Sequence, residues 1–171
     1  MRQIFRTKSG KVALGGILAA GSLATMMLAG LLPFWKSGLA VLTGLFPIVG
    51  VLIAGRAVGY FCWFTVGILG IILLPDKGIA LLYLLFFGLY PVLKEQIESI
   101  RRLPVEWIIK FIFFNLIFSI FCVFFQYLFL SELSGLFLNK KGFLYLLGNG
   151  MFVCYDVLLS RVVAILCNYL K

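Results

Sequence analysis

The chain reads as six long apolar stretches divided by short joints that carry most of its charges and several of its prolines and glycines. The stretches run near 12–34, 38–54, 57–74, 78–93, 107–130 and 142–170. Most approach or exceed the ~17–25 residues with which an α-helix crosses a bilayer, and none shows the period-two alternation of a lipid-facing barrel strand. Inside hydrocarbon such a stretch must satisfy its backbone hydrogen bonds internally, so the pattern predicts helices. The expected fold class is all-α: a polytopic integral membrane bundle of about six transmembrane helices, one transmembrane domain over residues 1–171 with both termini cytoplasmic. Only Gly55 and Arg56 part the second stretch from the third. A charged Arg beside Gly fits a tight interfacial turn better than burial in lipid.

Composition narrows the class further. With 63% apolar and 12% charged residues, the chain cannot be arranged around one soluble core. Its basic N-terminus, MRQIFRTKSGK, resembles the start of a secretory signal, but the apolar stretch from Val12 to Phe34 exceeds the ~7–15 residues of a signal core. A retained first helix is expected. Arg2, Arg6, Lys8, Lys11, Arg56, Lys94, Arg101, Arg102 and Lys171 fall on one side, with Lys110 and Arg161 close to it; Lys36, Lys77, Lys140 and Lys141 fall on the other. The richer side is expected to be cytoplasmic, in a multi-pass protein of the cell membrane. The net charge of +9 is scattered over loops, which points to membrane lipids as partners and away from nucleic acid.

The chemistry available is limited. There is no His, and the six acidic residues are dispersed, so neither a metal cluster nor a Ser/His/Asp arrangement is expected. No phosphate-binding loop of the ATPase type occurs. The reading is therefore of a protein that is not an enzyme, with no catalytic residues, no metal and no cofactor. Cys62, Cys122, Cys154 and Cys167 lie inside apolar stretches without C-x-x-C spacing and read as small packing residues.

Polar residues inside the last two stretches carry more information. Asn115, Ser119, Cys122 and Gln126 recur at steps of four, three and four, which is one face of a helix. Tyr145, Asn149, Asp156 and Ser160 likewise share a face of the next. A short connection makes the two helices antiparallel and predicts a polar seam of Asn115, Ser119, Asp156 and Ser160. The expected pairings are Gln126 with Asn149, Ser119 with Asp156 and Asn115 with Ser160. Glu106 and Lys110, at i and i+4, are expected to pair at the cytoplasmic end. An ionisable Asp156 deep in a span is costly and is by default a candidate for ligand or proton handling, whereas Arg161 has the reach to snorkel to headgroups. Pro47 and Pro91 interrupt the backbone ladder of their stretches and predict bends.

In the first stretch Gly16, Ala20 and Ala24 form a small-residue ridge at four-residue spacing, which suits close helix approach within the chain or with a partner. A basic N-terminus, this Ala-x-x-x-Ala helix, six spans, internal termini and 171 residues together resemble the S component of an energy-coupling factor vitamin transporter. The segment Leu73 to Lys94 also resembles small membrane proteins of low-GC Gram-positive bacteria. The S-component resemblance implies docking through the first helix onto a transmembrane scaffold subunit with an ATPase module, and an outward-opening pocket for a vitamin or related small molecule. The pocket it implies would draw on Trp35, Lys36, Asp76, Lys77, Gln126, Tyr145 and Asn149, a mixture of donors, acceptors and rings suited to a small polar heteroaromatic ligand. Two alternatives belong to other classes. One is a membrane assembly or scaffold protein of an envelope complex, using the ridge and an amphipathic surface piece within Lys94 to Trp107. The other is a small proton-coupled carrier centred on Asp156.

Overall fold

A computed structural model describes residues 7–32, 36–129 and 141–170, without the side chains of 36–37, 124–129, 141, 169 and 170. Every regular element among the described residues is helical, as the apolar pattern predicts. Five helices are long and apolar enough to cross a membrane: Lys8–Leu31, Arg56–Leu73, Lys77–Glu98, Leu103–Val123 and Gly142–Asn168. Gly38–Ala54 is a shorter apolar helical stretch. The chain is an all-α, multi-pass membrane protein, and its exposed Leu, Ile, Val, Phe and Met side chains are its lipid-contacting surface. It divides into two compact units, Met1–Gln96 and Ile97–Lys171.

The first unit opens with α1 (Lys8–Leu31), capped by Thr7, whose hydroxyl accepts the Gly10 amide at 3.2 Å. This helix buries Leu14, Gly15, Ala19, Ser22, Met26 and Ala29, a stripe repeating every three to four residues. The second apolar stretch is two helices, α2 (Lys36–Thr43) and α3 (Leu45–Ala54), broken at Gly44. Pro47 has no N–H for the Thr43 carbonyl one turn earlier, and the buried Ser22 hydroxyl of α1 donates to that carbonyl instead, at 3.1 Å. Gly55 turns the chain at φ 99°, a left-handed conformation that favours glycine, and Arg56 starts α4 (Arg56–Leu73), as the sequence predicts. Glycines on α4 let its neighbours approach closely. A Cβ at Gly59 would run into Val51, one at Gly67 into Leu84, and one at Gly70 would sit 2.5 Å from Met26.

The fourth apolar stretch is also interrupted. It comprises α5 (Lys77–Leu82), a π-helical turn (Tyr83–Phe87) and α6 (Leu89–Glu98). The Gly88 amide reaches back to Tyr83, and the Trp63 indole N–H of α4 donates to the Leu84 carbonyl at 2.8 Å. Pro47 and Pro91 thus each sit third in a helical segment that follows a break or a π-turn, and at each a side chain from a neighbouring helix donates to an open carbonyl: Ser22 to that of Thr43, which Pro47 leaves, and Trp63 to that of Leu84, which the Gly88 amide bypasses. At the start of α4, Arg56 clamps Glu95 through two bonds of 2.6 and 3.2 Å.

The predicted amphipathic surface piece between Lys94 and Trp107 is not formed. Helix α6 continues to Glu98 and α7 (Leu103–Phe129) begins at Leu103, leaving a four-residue turn in which Arg101 takes φ 58°. Lys94 and Ile97 are buried, which carries the helix past the predicted boundary, and Pro104 fits the first turn of α7, where amides lack helical partners anyway. The second unit contains the last two residues of α6, then α7 and α8 (Lys141–Leu170).

Candidate functional site: the interface of the last two helices

Helices α7 and α8 meet along the two polar faces the sequence marks, in a register different from the expected one. Asn115 and Asn149 exchange side-chain amide bonds of 3.0 and 3.2 Å. Each also donates its other amide hydrogen to a carbonyl one turn back, Asn115 to Phe111 and Asn149 to Tyr145, both at 2.8 Å. All four amide hydrogens of the pair are committed. Ser119 donates to the Asn115 carbonyl at 2.7 Å, so the Tyr145 hydroxyl is the donor in its 2.7 Å contact with Ser119.

The expected pairings are therefore corrected. Asn115 meets Asn149 and not Ser160, and Ser119 meets Tyr145 and not Asp156, a displacement of eleven residues (149 to 160, 145 to 156), or ~16 Å along a helix. Ser160 bonds within its own helix, to the Asp156 carbonyl at 3.0 Å. The expectation set the outer ends of the two helices level. In the observed register Lys141 is level with Val123, so α7 runs on past the start of α8. The same register sets the exposed Arg161 level with Leu103, the first residue of α7, which suits a side chain reaching headgroups.

Toward that end lies a charged cluster. Lys110 Nζ is 3.1 Å from Asp156 Oδ2 and 2.9 Å from Glu98 Oε1. The Lys110 and Asp156 side chains are each 4% exposed, against 42% for Glu98. The Trp107 ring lies 5.4 Å from the ammonium, adding a cation–π contact. The predicted Glu106–Lys110 pair is not the one made; Lys110 turns to Glu98 and Asp156, while Glu106 is itself buried. Sequence reading flagged Asp156 but missed Lys110 as its partner and Glu98 as the second partner of Lys110. The available signal was a lysine seven residues inside the helix that starts at Leu103, ~10 Å along its axis.

Between the charged cluster and the amide pair stands an aromatic layer. Phe152, buried, stacks on Phe114 with centroids 4.6 Å apart and meets Phe111 edge-on at 6.0 Å. Phe118 continues the layer outward, stacking on Phe114 at 5.5 Å and meeting Tyr145 edge-on at 5.1 Å. The interface is thus charged, then aromatic, then polar.

The other predicted site residues are placed as follows. Asp76 caps α5 by accepting the Gly78 amide at 2.9 Å, and Lys77 donates to the Ile71 carbonyl at 2.6 Å. Trp35 lies outside the described residues, as do the side chains of Lys36 and Gln126. Of the predicted pocket residues, Tyr145 and Asn149 share one face, where both are engaged with α7. Gly16, Ala20 and Ala24 are exposed, on the side of α1 away from its buried stripe. Cys62 packs in the core, whereas Cys154 is exposed and so is not the packing residue expected. Comparison with known proteins found no matching family, no matching curated protein and no matching solved structure.

Proposed function

We propose that this chain is the small-molecule-binding membrane subunit of an energy-coupling-factor-like importer in the cell membrane, docked through α1 onto a transmembrane scaffold subunit and taking up a vitamin or related compound. The observation that carries the reading is the outward face of α1. Gly16, Ala20 and Ala24 are all exposed, and nothing lies within 4 Å of where a Cβ on Gly16 would sit. Among the described residues, packing uses another stripe of α1 and the glycines of α4, which supports reading the ridge as a surface for a partner helix.

Replacing Ala20 or Ala24 with Leu tests this directly. The isolated protein should keep its thermal stability, because the added side chain points outward, while copurification with a scaffold and ATPase module should be lost. Unchanged copurification of Ala24→Leu would reject docking by this ridge. Mass spectrometry of small molecules released from the detergent-purified protein separates a binding subunit from an assembly protein, since only the former should release a bound compound.

A further inference from the structure

Docking through α1 gives no role to the charged cluster of the second unit, where a lysine and an aspartate are buried together in membrane-crossing helices. Such a pair is weak as a stabilising device. An apolar pair of similar volume is often as stable or more so, and intramembrane ionisable residues mark ion and proton pathways.

We propose that Glu98, Lys110 and Asp156 form a proton-exchange site in which a proton taken up at Glu98 is held at Asp156. Two observations carry this. The groups form a continuous hydrogen-bonded line, Glu98 Oε1 to Lys110 Nζ at 2.9 Å and Nζ to Asp156 Oδ2 at 3.1 Å. Exposure falls along it, from 42% at Glu98 to 4% at Lys110 and Asp156.

The step is balanced as a relay. A hydronium ion protonates the Glu98 carboxylate and becomes water. Glu98 passes that proton to Lys110 Nζ as the Lys110 ammonium gives one of its own to Asp156 Oδ2. Glu98 returns to carboxylate, Lys110 stays an ammonium, Asp156 becomes a carboxylic acid, and the site gains one positive charge. The neighbouring ionisable groups along the same helices are Glu106, buried one turn before Lys110 on α7, and Tyr155, beside Asp156 on α8; Lys94 precedes Glu98 by four positions in the sequence of α6. Arg161, exposed, lies further along α8. Trp107 contributes an uncharged ring over Lys110.

The test uses the full chain in phosphatidylcholine–phosphatidylglycerol vesicles, with infrared difference spectra recorded after photolysis of a caged proton. The wild type should develop a protonated-carboxyl stretch that shifts in heavy water and is missing in Asp156→Asn. Lys110→Arg keeps the positive charge and both ion pairs, but its guanidinium does not release a proton. It should slow the rise of the band roughly a hundredfold, within the range lost when a positioned proton donor is removed. Glu98→Gln should slow it similarly. Absence of an Asp156-dependent band in the wild type overturns the proposal, and so does a wild-type rate in Lys110→Arg. The α1 variants leave this signal untouched, so failure of the docking proposal and failure of the relay are distinguishable.

Discussion

At Lys110 a local rule competes with a tertiary one, and the tertiary one wins. Spacing on a helix favours Glu106 as its partner, worth about 0.2–0.5 kcal/mol in an isolated helix. The folded chain offers Glu98 and Asp156, the latter almost fully buried. Removing Lys110 takes an ammonium from the buried Asp156 carboxylate, so Lys110→Met should destabilise the protein by about 3–5 kcal/mol. Adding Asp156→Leu to that variant should recover most of the loss, because Glu98 is exposed enough to be served by water. Chemical unfolding in detergent micelles, compared across the two single variants and the double, measures this. A double variant no more stable than Lys110→Met would show that Asp156 has a structural role independent of Lys110. The polar face of α8 was legible because helical period alone places Asn149 and Asp156 together. Their partners were not, because period is silent on how far one helix slides along another.

The helices show how backbone gaps are filled inside a membrane. Pro47 and Pro91 were readable as interruptions, and each stands where a helix restarts. What the sequence did not disclose is the donor that occupies the vacated position, since Ser22 is 25 residues before Pro47 and reads only as a small residue of α1. The Ser22 hydroxyl replaces an amide hydrogen that Pro47 lacks. Ser22→Ala should therefore cost about 1 kcal/mol by leaving the buried Thr43 carbonyl short of a donor. Adding Pro47→Ala should return part of that stability, because residue 47 then has an amide to offer the same carbonyl. Thermal unfolding of both variants and of Pro47→Ala alone gives the comparison. If the two substitutions simply add, the hydroxyl is not filling the gap left by the proline.

For the whole molecule, the side on which each joint lies is an expectation from charge and span length, and one contact from the fold bears on it. Arg56, in the joint after α3, binds Glu95 near the end of α6, so these two parts of the chain lie at the same end of the first unit. Both were assigned to the cytoplasmic side by the Lys and Arg count. The bridge is exposed and contributes about 0.2–1 kcal/mol, too little to set orientation, which is left to the excess of basic residues on that side. Orientation can be read by thiol labelling in a background where Cys62, Cys122, Cys154 and Cys167 are replaced. Cys122, Cys154 and Cys167 need replacement most, since none of them is buried and each could react. Cysteines placed at Lys36 and Lys77 should label in intact cells, whereas those at Ser9 and Ser99 should label only after permeabilisation. Ser99 is the discriminating position, because it follows α6 directly in the turn before α7. Labelling of Ser99 from outside would mean that the interrupted stretch Gly38–Ala54 does not cross the membrane, leaving five crossings and putting the two ends of the chain on opposite sides.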